Sequence, residues 1–351
     1  MAPPRRVTPQ HGPDPGSFVA PEQHRPRPVF GISCRRGSAA PKRRRCATGV
    51  IVTLQRLGGR TLARRLALGT VQFGLSYGVS NTLGRPDGAE VDRILTFARA
   101  AGLDTLDTAP AYGDAEAVLG HAGMTGWRLV SKVPRIPAEV TDTTGWILGG
   151  VRESLQRLGI PRLHGLLLHD PEQLCSPRGP AIRAALIEAK AEGLTGKIGL
   201  SIYAPDRLSA FVEVLQPEIV QAPFSILDQR LVTSGWADQL AAAGVEVHAR
   251  SAFLQGLLLF PAADRPTKFG SWPSVWQAWA GWLEGAGLTP VDACLRFVAM
   301  HPAVDRIVVG VNSAVELAAI AEVLDAPLTS LPDWPNDVDQ RLIDPSQWST
   351  L

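Results

Sequence analysis

Eight short apolar runs punctuate this chain, near residues 66–70, 104–107, 128–132, 164–168, 197–201, 219–221, 246–250 and 306–310. Each is too short for a helix and is bounded by turn-forming residues, the pattern of strands buried on both faces. Between them lie stretches with helical spacing, among them AEVDRILTFARAAG, WILGGVRESLQRLG, AIRAALIEAKAEG and WADQLAAAG. Several end in the glycine that a left-handed helix cap requires. This alternation predicts an α/β protein, a (β/α)8 TIM barrel. A doubly wound sheet is the competitor, but it usually carries a G-x-G-x-x-G turn after its first strand. Here that turn reads GTVQFGLSYG. Ahead of the first strand, GVIVTLQRL, Gly58-Gly59 and RTLARRLALGT read as a β-hairpin with a Gly-Gly turn. The expected division is an extension over 1–49, the barrel with its hairpin over 50–330, and a tail over 331–351.

Four polar residues stand at or just past the ends of short apolar runs. Asp107 ends LDTLD, Tyr112 follows in TAPAYG, Lys132 closes WRLVSK and His169 follows GLLL. Singly, each has an ordinary structural reading: a loop carboxylate, an interface aromatic, a snorkelling lysine, a core histidine. Together they place an acid, a phenol, an ammonium and an imidazole at the ends of three successive strands. In a parallel barrel those ends face one pocket, where such folds do chemistry.

Charge changes the picture at the N-terminus. Residues 1–65 carry fourteen Lys or Arg against two acids, which leaves 21 of the 35 basic and 31 of the 33 acidic residues for the body. Residues 1–46 are rich in Pro, Arg, Gly and Ser without hydrophobic periodicity, so disorder is expected. Lys42-Arg43-Arg44-Arg45 could touch nucleic acid or an acidic membrane; a solvated tail is the plainer reading, and nucleic-acid binding is not expected. No run of eighteen apolar residues occurs, so no membrane span is expected. Cys34, Cys46, Cys175 and Cys294 are scattered without CxxC or Cys/His metal spacing. That suits a reducing, cytoplasmic compartment and no bound metal.

From the hairpin to Leu324, the chain resembles the aldo-keto reductase family. The most specific piece is D-T-A-P-A-Y-G, joined in order by Lys132 and His169 on the next two strands. The resemblance implies a (β/α)8 barrel whose N-terminal hairpin closes the barrel bottom, and NADPH or NADH as cofactor. It implies Asp107, Tyr112, Lys132 and His169 as the catalytic set, with Tyr112 as general acid in reduction and general base in oxidation. The chemistry agrees. No side chain supplies hydride, so a cofactor must, and the carbonyl oxygen needs a proton or strong hydrogen bonds as charge develops. A phenol with its ordinary pKa of about 10 needs help. Lys132 would favour its phenolate and lower that value; Asp107 would hold Lys132, and His169 would orient the substrate oxygen.

For the cofactor, the resemblance points to Ser201 and Gln221 on the nicotinamide carboxamide, with Ile202 where the family has Asn. Arg250 stands where many members stack an aromatic ring, and a guanidinium plane can also stack. Ser251, Phe253, Gln255 and Gly256, in RSAFLQG, resemble the segment along the pyrophosphate. Gly310, Asn312 and Ser313, in GVNSAVELAAI, resemble a second phosphate site at a helix N-terminus. The family's adenine-contacting Glu-Asn pair is replaced by Ala319-Ile320. NADPH is the family expectation, but no Lys or Arg lies between Gly310 and Leu324 to pair a 2′-phosphate. The expected substrate is a small, sugar-like carbonyl compound. Trp272, Trp276, Trp279 and Trp282 share one helical face, expected to pack on the barrel; a pocket wall and a dimer interface are the alternatives, and the oligomeric state stays open. Two other functions fit the residues: a nucleotide-binding redox sensor on the same barrel, and a lyase or isomerase using Lys132 as a Schiff base.

Overall fold

The computed structural model describes residues 62–323, 328–334 and 338–351. Eight parallel strands close into a barrel in sequence order: β1 (Leu66–Gly69), β2 (Thr105–Asp107), β3 (Arg128–Val133), β4 (Leu163–Leu168), β5 (Thr195–Ser201), β6 (Ile219–Pro223), β7 (Glu246–Arg250) and β8 (Arg306–Gly310). The barrel shuts where β1 pairs with β8, Leu66 opposite Ile307 and Leu68 opposite Val309. All eight expected strands are present, each within two residues of its expected bounds. Their side chains are buried almost without a break because helices cover the outside and side chains fill the inside.

The outer layer comprises α1 (Gly88–Ala101), α2 (Ala115–Ala122), α3 (Thr143–Leu158), α4 (Gly179–Ala191), α5 (Leu208–Leu215), α6 (Trp236–Ala242), α7 (Pro273–Ala286), α8 (Pro290–Ala299) and α9 (Ala314–Ala321). α1 shows how the sequence sets its limits. Asp87 caps it by accepting from Glu90 N, Val91, Ile94, Leu95 and Ala98 face the strands, and Gly102 ends it in the left-handed region. Inside the barrel, Val130, Leu167 and Ile219 pack as a separate apolar cluster. Gly165 makes room for it: a Cβ there would lie 2.4 Å from Ile219 Cδ1.

Of the expected N-terminal hairpin, only the end of the second arm is described. Residues 50–61 and the basic extension lie outside the described residues. The described end of the expected second arm, Leu62–Arg65, is a turn of 3-10 helix and not a strand. The reason is visible at Arg65, whose guanidinium donates to the carbonyls of Ala299, His301 and Val304 at the C-terminal end of α8. Reaching these carbonyls turns the chain inward rather than letting it run straight.

The tryptophan face packs inward as expected. Trp276 and Trp279 are buried, and their indoles donate to the carbonyls of Phe269 and Leu258. Its outer edge is covered by the end of the chain: Trp334 stacks on Trp279, Trp272 Nε1 donates to Asp339 and Trp282 Nε1 to Ser330. Residues 340–343 are helical and 345–350 form a 3-10 helix, anchored by Leu342, Ile343 and Trp348, all buried.

Candidate active site

Asp107 is the last residue of β2, Lys132 the last but one of β3, and His169 follows β4 directly. The pleat turns Asp107 and Lys132 inward at one depth, and both are buried. Lys132 Nζ donates to Asp107 Oδ1 at 2.7 Å, to the Thr108 carbonyl at 3.0 Å and to the Tyr112 hydroxyl at 3.2 Å. His169 stands edge-on to Tyr112, ring centroids 6.1 Å apart. The four residues expected from the sequence therefore meet at one place.

Tyr112 is placed by a close backbone crossing. It sits in tight turns, its N–H on the Ala109 carbonyl and its own carbonyl taking the Ala115 N–H. Gly74, after β1, passes directly beneath: a Cβ on Gly74 would lie 1.7 Å from the Tyr112 carbonyl oxygen. Gly74→Ala must therefore push the tyrosine loop away. We expect a loss of about 3 kcal/mol or more in urea unfolding, with Tyr112 displaced from Lys132. Unchanged stability would show that this crossing does not fix the loop.

Electrostatics assigns the protons. Burial pushes the Tyr112 phenol above its ordinary value, with Lys132 opposing and Asp107 assisting the shift. Lys132 thus acts in the expected sense, but burial outweighs it, and the phenol holds its proton at neutral pH. For Lys132, burial favours the neutral amine, but Asp107 and Tyr112 overcome it and the ammonium is held above its usual range. A Schiff-base role needs an accessible neutral amine; this one is buried, ion-paired and protonated, which removes the lyase alternative. His169 is lowered to about 4, by burial first and Lys132 second, so its ring is neutral at pH 7.

Ser201 ends β5 and Gln221 lies on β6, as expected, but Gln221 turns to Asp107 and Ser201 to Gln221. Gln221 Nε2 donates to Asp107 Oδ2 at 2.7 Å, and Ser201 Oγ donates to Gln221 Oε1 at 3.1 Å. The carboxylate is thereby fixed on both oxygens. Arg250 ends β7, lies over the Tyr203 ring at 4.9 Å and donates to the Ile202 carbonyl at 2.9 Å. In the loop that follows, Ser251, Leu254 and Gln255 all take positive φ, a costly conformation for non-glycine residues that clusters at functional segments. Tyr77, which sequence reasoning missed, lies within electrostatic range of Arg250, Tyr112 and Tyr203, and burial raises its phenol above the ordinary value. The chain has three tyrosines, and all three surround Arg250; that scarcity was the signal available. Phe253 and Gly256 complete the turn, the Gly256 N–H on the Phe253 carbonyl.

At the end of β8, Gly310 lies against Gln72: a Cβ there would meet the Gln72 amide at 2.4 Å. Gln72 Oε1 and Asn312 Oδ1 are buried without a protein partner. Ser313 Oγ caps α9 by accepting from Glu316 N. Two carboxylates take the neighbouring N–H groups: Glu316 Oε2 accepts from Asn312 N at 2.7 Å, and Glu90 Oε1, from α1, accepts from Ala314 N at 2.6 Å. Among the described residues no cluster of His, Cys, Asp or Glu could hold a metal ion, and no helix is long and apolar enough to cross a membrane.

Comparisons with known proteins bear on the family and the fold. A 6-dehydroglucose reductase of Novosphingobium aromaticivorans is 25% identical over 255 residues, 67% of this chain and 81% of the relative. An NADH-specific methylglyoxal reductase of Escherichia coli is 28% identical over 223 residues, 55% of this chain and 65% of the relative. An aldo-keto reductase of Mycobacterium marinum is 28% identical over 188 residues, 51% of this chain; the chain spans 62% of that relative's length, less than two thirds. The fold matches the solved aldo-keto reductase of Bacillus halodurans in its holo form, with a TM-score of 0.60 at 21% identity over 76% of this chain and 88% of the other. The model of the aldo/keto reductase family matches residues 65–331, and the chain belongs to that family.

Proposed function

We propose that this chain reduces small aldehydes or ketones, sugar-like ones included, with a nicotinamide nucleotide, and that Tyr112 delivers the proton. The observation that carries this reading is the Lys132 ammonium held between Asp107 and the Tyr112 hydroxyl, at 2.7 and 3.2 Å. A nicotinamide nucleotide, when bound, supplies the hydride. Tyr112 then gives its proton to the carbonyl oxygen, and Lys132, 3.2 Å away, stabilises the phenolate left behind. Asp107, locked by Gln221 and Ser201, holds that ammonium in place. His169, being neutral, donates one ring N–H to the substrate oxygen without competing for the proton. In the oxidative direction the same phenol oxygen takes the proton back. A redox sensor on this barrel would not need a phenol, an ammonium and a fixed carboxylate in register.

The residues present fit a dinucleotide. Buried Gln72 Oε1 and Asn312 Oδ1 await partners beside Gly310, and Arg250 offers a flat cation at the pocket wall. They do not fit a 2′-phosphate at the start of α9, where Glu316 and Glu90 already occupy N–H groups. Burial raises the Glu316 carboxyl, the Asn312 and Ser313 N–H groups oppose that, and Glu90 adds to it. A further dianion there would meet like charge. NADH is accordingly the preferred coenzyme, and we expect it to bind about tenfold tighter than NADPH or better. Fluorescence titration of both nucleotides checks this. Glu316→Gln should narrow the ratio; tighter NADPH binding by the unaltered protein would reverse the assignment.

The function itself is tested by following oxidation of NADH and NADPH over a panel of simple aldehydes and aldoses. The pH dependence supplies a further check. With the Tyr112 phenol above its ordinary value and His169 neutral down to about 4, kcat/KM for reduction should stay flat from about pH 5 to 8. His169 also links pH to stability. Its folded pKa, about 4, lies below the ordinary value of 6.5, so the unfolded chain takes up the proton first. Stability is full above about 6.5 and falls as pH drops toward 4. Urea midpoints that fall less between pH 7 and 5 in His169→Gln than in the unaltered protein would confirm this linkage; equal falls would refute it.

A further inference from the structure

The opposite end of the barrel carries a second cluster of charge, remote from Tyr112. Arg128 begins β3, Arg162 and His164 stand at the start of β4, Lys197 lies early in β5 and Glu246 begins β7. Among the described residues, Trp127, Arg128, Arg162, Leu163, His164, Gly196 and Lys197 line an open pocket of about 400 Å³, the size of a small-ligand site. No carboxylate is among them.

The acids that touch these cations are shared. Glu246 accepts from Lys197 at 2.7 Å, His164 at 3.1 Å, His248 at 3.0 Å and Arg128 at 3.5 Å. Burial would raise its carboxyl, but the bonds from His164, His248 and Lys197 hold it far below the usual range. Asp104 is divided between Arg128 and Arg306. Arg162 is exposed beside Gly196, its Nη2 3.4 Å from where a Cβ there would stand.

Two further features concern the donors at this pocket. His164 Nε2 lies 2.9 Å from Arg128 Nη2 and 3.1 Å from Glu246 Oε2. One nitrogen cannot accept from the guanidinium and donate to the carboxylate at once. If His164 donates to Glu246, the Arg128 fork keeps only the 3.5 Å contact with Glu246 and the more distant Asp104. Trp127 is 8% exposed, and its Nε1 is a buried donor without a partner; an indole N–H can only donate.

We propose that this pocket binds the dianionic phosphate of a small phosphate monoester, with Arg128, Arg162 and Lys197 on the phosphoryl oxygens. Guanidinium forks match phosphate geometry, and the exposed edge of Trp127 borders the pocket beside them for the organic part. The site is independent of the reductase reading and lies outside the catalytic pocket.

The test is calorimetric titration of the full chain with phenyl phosphate and with inorganic phosphate, at constant ionic strength and with NADH present. Saturable one-to-one binding of phenyl phosphate, tighter than inorganic phosphate, is expected. Losing one charge-assisted contact in Arg162→Ala should weaken it about tenfold or more. Arg162 is exposed and supports no other element, so the variant should fold; Lys197→Gln repeats the test at a second position. Binding that tracks inorganic phosphate alone would remove the monoester and leave a bare phosphate site. Competition with NADH, or binding unchanged in both variants, would place the ligand elsewhere and overturn the proposal. No saturable binding would make this cluster a set of ion pairs closing the barrel.

Discussion

Tyr112→Phe is expected to lower kcat for carbonyl reduction by about 10²–10⁴-fold, the usual worth of a positioned general acid. The change removes one oxygen. It leaves the ring against His169, the loop turns and the Gly74 crossing as they are. Lys132 keeps Asp107 and the Thr108 carbonyl as partners, so the ammonium is not stranded and stability should change little. Nucleotide affinity should persist, because the dinucleotide contacts run through other elements. Equilibrium nucleotide binding measured beside turnover separates the outcomes. Lost turnover with binding intact supports the proton-donor role. Turnover within a few-fold of the unaltered enzyme would mean that water or His169 delivers the proton, and the role of Tyr112 would fall.

The sequence made the barrel legible because its dominant signal is local. An apolar run such as GLLL and a helix with one buried face each declare themselves within a dozen residues. The four strand-end residues were legible for the same reason, since a parallel barrel converts position along a strand into depth in the pocket. Contacts between distant parts of the chain were not legible. Gln221 and Ser201 turn out to brace Asp107, more than a hundred residues from Gln221 in sequence. Glu90 reaches from α1 to the start of α9, a separation of 224 positions. Leu62–Arg65 runs straight into the first apolar strand in the sequence, yet Arg65 finds three carbonyls at the end of α8 and the backbone coils instead. The net pKa of Tyr112 was hidden too, because the lysine is visible in the sequence and the burial opposing it is not.

Lys132→Met should damage both activity and fold, and a second substitution separates the two. Lys132 and Asp107 are a buried ion pair, 2% and 4% exposed. Removing the ammonium leaves a carboxylate with no cation, and breaking such a pair from one side costs about 3–5 kcal/mol. Gln221 still donates to it, which places the expected loss toward the lower end of that range. The phenolate formed during reduction also loses its charged neighbour. A further fall in kcat of about 10²–10³-fold is then expected, comparable to removing one donor from an oxyanion site. Asp107→Asn in the same chain abolishes the stranded charge. Urea unfolding of the double variant should recover much of the lost stability, while kcat stays low because nothing replaces the ammonium beside Tyr112. Recovery of both would mean that Lys132 acts on catalysis only by holding the site together. Recovery of neither would mean that its contact with the Thr108 carbonyl, and not its charge, carries the structural role.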